Sequence, residues 1–179
     1  MCALMRAKSA VMPHKNAVRD GMKTVTLLVD VQNIYYTTRS VHGCHFDYNQ
    51  FWSRATNNRR VIKAIAYTTD RGDAKQRQFQ NILRAIGFEV KLKPYIQRAD
   101  GSAKCDWDVG ITIDALEYAS ESDVMVLATG DGDFDLLADV VRNKYQTDVE
   151  VYGVKHLTAL SLINSASTFI AIEGGLLLR

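Results

Sequence analysis

The sequence predicts an α/β protein: a three-layer sandwich whose central sheet is mostly parallel and has five to six strands. Three observations carry this. Short β-branched apolar runs alternate with stretches of helical periodicity along nearly the whole chain. No internal repeat, low-complexity tract or Pro/Gly-rich linker divides it. A chain of 179 residues with 47% hydrophobic composition suits one domain with a substantial core. Strands that alternate with helices are joined by crossovers, which cover both faces of a parallel sheet.

The elements follow in order. Residues 23–30, KTVTLLVD, form a buried strand, and Asn33 falls one helical turn beyond its end. DYNQFWSRA (47–55) is a helix with Asp47 as N-cap. RVIKAIAYTT (60–69) is a second strand. AKQRQFQNILRAIG (74–87) has helical spacing through Phe79, Ile82, Leu83 and Ile86, and Gly87 closes it. FEVKLKPYI (88–96) alternates as a third strand, and WDVGITIDALEYA (107–119) is a helix. DVMVLAT (123–129) is a fourth strand, FDLLADVVRNKY (134–145) a helix and DVEVYGV (148–154) a fifth strand. TALSLINSA (158–166) is a helix and TFIAI (168–172) the last strand. Residues 1–23 lack the apolar core of a signal peptide and read as a poorly ordered N-terminal extension ahead of a domain at 24–175. No apolar run approaches the roughly 18 residues that span a bilayer. Three cysteines without a CxxC spacing suit a reducing cytoplasm.

Charge is polarised under a net value of +2. From Arg54 to Lys104 there are 12 Lys and Arg against 4 Asp and Glu; from Cys105 to Asp135 there are 9 Asp and Glu and no Lys or Arg. The two segments either neutralise each other or form a cationic surface for a polyanion beside an anionic pocket for metal ions.

In parallel α/β sheets ligands bind beyond the carboxyl ends of the strands. The first strand ends at Asp30. The fourth runs into LATGDGDF, which supplies Asp131 and Asp133. The helix before the fourth strand opens with KCDWDVGITIDA, which supplies Asp106, Asp108 and Asp114. If the first and fourth strands are neighbours, three segments deliver carboxylates to one rim, where Gly130 and Gly132 let the chain turn and leave room for a ligand. An all-oxygen set suits Mg2+ or Mn2+, and two such ions roughly 3.5–4 Å apart can promote phosphodiester cleavage. Single residues have plainer readings. Asp133 equally fits an N-cap of the helix at Phe134, Asp135 a solvated first-turn carboxylate, and Trp107 a core residue. His42, Cys44 and His45 crowd one loop without a separated partner pair, which disfavours zinc.

These motifs resemble the NYN domain family of PIN-like metal-dependent ribonucleases, within its LabA-like bacterial branch. The strand followed by Asp-x-x-Asn is LLVDVQNIYY; the Lys loop leading to paired acids is KCDWDVGITIDAL; the Ser-Gly-Asp-x-Asp-Phe signature appears as VLATGDGDFDLL, with Thr129 in place of Ser; and TFIAI matches the closing strand. The resemblance covers about residues 24–172. It implies a PIN-like, Rossmann-like fold, RNA as partner, and Asp30, Asn33, Asp108, Asp131 and Asp133 as catalytic positions, with Asp114 as a further metal ligand. The extra CDW leaves Asp106 and Asp108 as alternatives for one ligand. The phosphate backbone would be held by Arg71, Lys75, Arg77, Arg98 and Lys104 around the same rim, with Thr129 beside them.

The expected function is therefore a divalent-metal-dependent ribonuclease acting on single-stranded or structured RNA. The alternative is a non-catalytic RNA- or protein-binding module that keeps the acidic rim. An aspartyl-phosphate enzyme would want Asp-x-Asp at the first strand, where this chain has Asp30-Val31-Gln32. A dinucleotide fold would want GxGxxG there. No membrane partner is expected, and a homodimer is left open.

Overall fold

In the computed structural model, which describes residues 21–70, 72–94 and 106–178, strand β1 (Lys23–Asp30) runs through the centre of a six-stranded sheet. The others are β3 (Arg59–Asp70), β4 (Glu89–Pro94), β5 (Val124–Ala128), β6 (Asp148–Gly153) and β7 (Thr168–Ala171), and every pairing among the six is parallel. Their order is β4-β3-β1-β5-β6-β7. The chain builds outward from β1 to β3 and β4, returns across the sheet, and builds outward again through β5 to β7. Its direction therefore reverses between β1 and β5. The condition set by the sequence, that the first and fourth predicted strands be neighbours, is met.

Six helices cover the two faces. Helices α1 (Val31–His42), α2 (Tyr48–Thr56) and α3 (Ala74–Ile86) pack one face, around Val25, Leu27, Val29, Ile34, Phe51 and Leu83. Helices α4 (Asp108–Ala119), α5 (Asp135–Tyr145) and α6 (Leu160–Ser165) pack the other, around Leu28, Ile65, Ile111, Leu127, Val141 and Leu162. The alternation of Leu27 and Leu28 between the two clusters is the period-two signature of a strand buried on both sides.

Local chemistry sets the helix starts that matter for the rim. Asp30 caps α1 by accepting the Asn33 N–H, and Gly43 ends the helix in the left-handed conformation at φ 63°. Asp47 accepts from the N–H groups of Asn49 and Gln50, as its reading as N-cap predicts. Asp73 accepts from the Gln76 N–H. Gly87 is required twice: it closes α3 at φ 129°, and a Cβ there would lie 2.7 Å from the Trp52 ring.

Two short strands extend the sequence reading. The HGCH loop leads into β2 (His45–Phe46), which pairs antiparallel with β8 (Leu177–Leu178). Two-residue strands lie below the resolution of any periodicity argument. Residues 1–20 of the expected extension, Tyr95 and Ile96 at the end of the third predicted strand, and the candidate phosphate contacts Arg71, Arg98 and Lys104 lie outside the described residues.

Candidate metal centre at the strand switch point

The strand order reverses between β1 and β5, the place where open α/β sheets bind ligands beyond the carboxyl ends of the strands. Asp30 is the last residue of β1, and β5 ends one residue before Thr129. Beyond it the chain makes a short 3-10 turn, Gly132–Phe134, capped by Asp131, whose Oδ1 accepts the Asp133 N–H at 3.0 Å. Asp131 therefore takes the capping role that the sequence allowed for Asp133, which leaves the Asp133 side chain exposed. Asp108 opens α4, where the positive end of the helix dipole favours a carboxylate. Asp108, Asp131 and Asp133 each offer one oxygen, and those oxygens lie within 4.8 Å of one another. Of the alternatives Asp106 and Asp108, it is Asp108 that the fold brings to the cluster. Three carboxylates with oxygens this close are the hard-oxygen donor set that would hold a Mg2+ or Mn2+ ion.

Asp30 stands beside this group. Burial pushes its carboxyl up to about 6, and the negative charges of Asp108 and Asp131 add to the effect; the N–H groups of Asn33 and Gln32 oppose it.

Other predicted residues take supporting places. The Asn33 Oδ1 accepts the Gly130 N–H at 2.9 Å and so ties α1 to the loop after β5. Thr129 is 2% exposed, and its hydroxyl accepts the Asp131 N–H at 3.2 Å; it shapes the loop and has no surface to offer RNA. Gly130 and Gly132 have ordinary φ values, and the space beside them is filled by chain. A Cβ at Gly130 would lie 2.6 Å from the Leu157 carbonyl oxygen, and one at Gly132 would lie 2.9 Å from Ala159 Cβ. The room expected for a ligand is taken by the 157–159 segment, whose Ala159 N–H donates to the Gly130 carbonyl at 3.0 Å.

Asp114 is placed elsewhere. It is buried one face round α4, receives 2.8 Å hydrogen bonds from Lys91 Nζ on both oxygens, and accepts from the Tyr67 hydroxyl at 2.6 Å. The roughly 100° turn per helical residue separates it from Asp108, and β3 and β4 supply its partners. Trp107 is a structural plug: Nε1 donates to the Thr68 carbonyl, the ring packs on Tyr67, and Lys93 Nζ lies 4.7 Å from the ring centre. Of the expected basic contacts within the described residues, Lys75 and Arg77 are exposed on the first turn of α3, and Arg77 donates to the Gly72 carbonyl.

Comparison with known proteins agrees with this architecture. A solved structure of a protein of unknown function from Vibrio parahaemolyticus is 53% identical, covers 89% of this chain and 99% of its own, and superposes with a TM-score of 0.85. The low amplitude and bright protein LabA of Synechococcus elongatus is 26% identical over 157 residues, 83% of each chain. The NYN domain profile matches residues 24–173. With the acidic rim, the central β1–β5 pair and this match over most of its length, the chain belongs to the NYN domain family.

Proposed function

We propose that the protein is a Mg2+- or Mn2+-dependent ribonuclease that cleaves phosphodiester bonds at the β1–β5 rim. The observation that carries this reading is the convergence of Asp108, Asp131 and Asp133 to within ligand distance of one another beside a charge-strained Asp30. A divalent ion held there would supply Lewis-acid polarisation of the phosphate and a nucleophile at neutral pH. Asp108, Asp131 and Asp133 would hold it. Asp30 would join them directly or through water, and in its ionised state would position and deprotonate the attacking water. Asn33 would fix the Gly130 loop, and with it the Asp131 carboxylate, through its hydrogen bond to the Gly130 N–H. Thr129 would support the same loop from below. Lys75 and Arg77 would draw the RNA backbone to the rim.

The test is Asp131→Asn, which keeps shape and hydrogen-bond acceptor and removes one charge. Cleavage of labelled RNA should need Mg2+ or Mn2+, stop with EDTA, and fall by orders of magnitude in the variant. RNA affinity in EDTA should hold or improve, because a carboxylate that repels phosphate is gone. Undiminished cleavage by Asp131→Asn would transfer the function to the alternative, a binding module whose acidic rim is not catalytic.

A further inference from the structure

A groove of about 660 Å3 opens on the α1–α3 side of the sheet, next to the acidic rim. Its wall begins with Val31 and Gln32, the two residues after Asp30, and continues through Thr68 and Thr69, which follow the β3 residue Tyr67 paired in register with Asp30. The far wall comes from α3, and β2 with β8 closes one end. The volume lies in the range of small-ligand pockets.

Its lining combines exposed rings with hydrogen-bonding amides. Tyr36 is 53% and Tyr35 46% exposed, and their rings meet edge to face at 77°, forming a corner; His45 flanks Tyr35 at 6.0 Å. Ile82, 47% exposed, faces the same space from α3. Gln32 and Asn49 add amides, Gln76 is tied to the Thr69 carbonyl, and Lys75 adds a cation. The two carboxylates in the lining, Asp47 and Asp73, keep their negative charge and serve as helix caps, each accepting on Oδ1 from N–H groups of α2 or α3. Apolar faces, amides that can read a base edge, and one cation beside a phosphodiester site are the chemistry of an unpaired nucleobase. A base inside a duplex has both faces covered and could not enter.

Resting on the ribonuclease reading above, we infer that this groove holds the base of an unpaired nucleotide adjacent to the scissile phosphate, stacked on Tyr36 with Tyr35 against its edge and with Lys75 on the neighbouring phosphate. The strand then runs from α3 across the end of β1 into the carboxylates.

The experiment measures fluorescence anisotropy of a labelled single-stranded oligoribonucleotide, and of the same strand in a duplex, in EDTA so that no cleavage occurs. The variants are Tyr36→Ala, Tyr36→Trp and Ile82→Glu, all at exposed positions. Single-strand affinity should fall about tenfold in Tyr36→Ala, toward the low end of the effect of one base–aromatic stack. It should fall at least as far in Ile82→Glu, which places a negative charge in the groove, and stay within about twofold in Tyr36→Trp. Duplex affinity should not change. Unchanged single-strand affinity in both disruptive variants, or equal loss for strand and duplex, would overturn the groove assignment while leaving the nuclease reading intact, and would favour an apolar protein segment as the occupant. A wild-type protein that binds neither RNA would overturn both.

Discussion

Asp30 concentrates the energetics of the site in one residue. It caps α1, faces Asp108 and Asp131, and is half-buried, so without metal its charged form is unfavourable and its carboxyl titrates near 6. In the unfolded chain it titrates near the ordinary 3.8. The folded state thus binds more protons between those values, and metal-free stability falls as pH rises through that window and is flat above it. Asp30→Asn keeps an oxygen to accept the Asn33 N–H and removes the charge. It should raise the metal-free melting temperature at pH 7.5 and leave it nearly unchanged at pH 4, and it should abolish cleavage. A divalent ion reverses the preference, so the melting-temperature gain from Mn2+ should grow from pH 5 to pH 7 in the wild type and much less in Asp30→Asn. A variant equally destabilised at both pH values would reduce Asp30 to a helix cap. The sequence made this residue legible because an acid at a strand end is local information. The partner of Asn33 was not: Gly130 lies 97 residues away, and an Asn one turn into a helix fits a water ligand or a phosphate contact as well as a loop clamp.

Helix α4 is held by partners distant in sequence. It starts at Asp108 with no side-chain cap; its Asp114 is held by Tyr67 of β3 and Lys91 of β4, and the two residues before it, Asp106 and Trp107, are tied to Lys93 and Thr68. Removing Lys91 would leave the Asp114 carboxylate buried with only the Tyr67 hydroxyl. Lys91→Met should cost about 2 kcal/mol in urea unfolding, below the 3–5 kcal/mol of a fully buried pair because Lys91 is 33% exposed. Lys91→Met with Asp114→Asn should recover most of that loss, and the pair of measurements separates ionic pairing from packing. The loop after β5 has the opposite dependence, on the absence of a side chain. Gly130→Ala would press a methyl against the Leu157 carbonyl, with an expected cost of about 1–3 kcal/mol and weaker Mn2+ binding, because Asp131 is next in the chain. Some extents were readable from period and caps: β1 begins and ends where the sequence placed it, and α3 ends at Gly87, whereas α1 (Val31–His42) was not placed as a helix. What Asp114 and Gly130 do was not readable, since both answers depend on which strands and loops lie alongside, and periodicity does not encode strand order.

On the scale of the whole molecule, the count of 12 basic residues between Arg54 and Lys104 overstates the cationic surface. Arg59 forms a two-point pair with Glu150, Lys63 pairs with Glu89, Lys91 with Asp114, and Lys93 donates to the Asp106 carbonyl. Of these contacts only Lys91–Asp114 is an ion pair between the basic and the acidic segment; the other cations are spent on Glu150, on Glu89 and on a backbone carbonyl. Lys75 and Arg77 are exposed on α3, and Lys75 lines the groove that leads to the rim. If these two cations hold phosphates, changing both to Ala should weaken single-stranded RNA binding and flatten its dependence on salt. Each phosphate contact to a single strand contributes about 0.7 to the log–log slope, so the double variant should lose about 1.4. Asp131→Asn, which removes a repulsive charge and no phosphate contact, should leave the slope unchanged. Anisotropy titrations across a range of KCl in EDTA measure both. A double variant with weaker affinity but the wild-type slope would mean that α3 contributes shape and not charge. The strand would then have to reach the carboxylates from the α4–α6 face, and the path drawn here from α3 across β1 would be wrong.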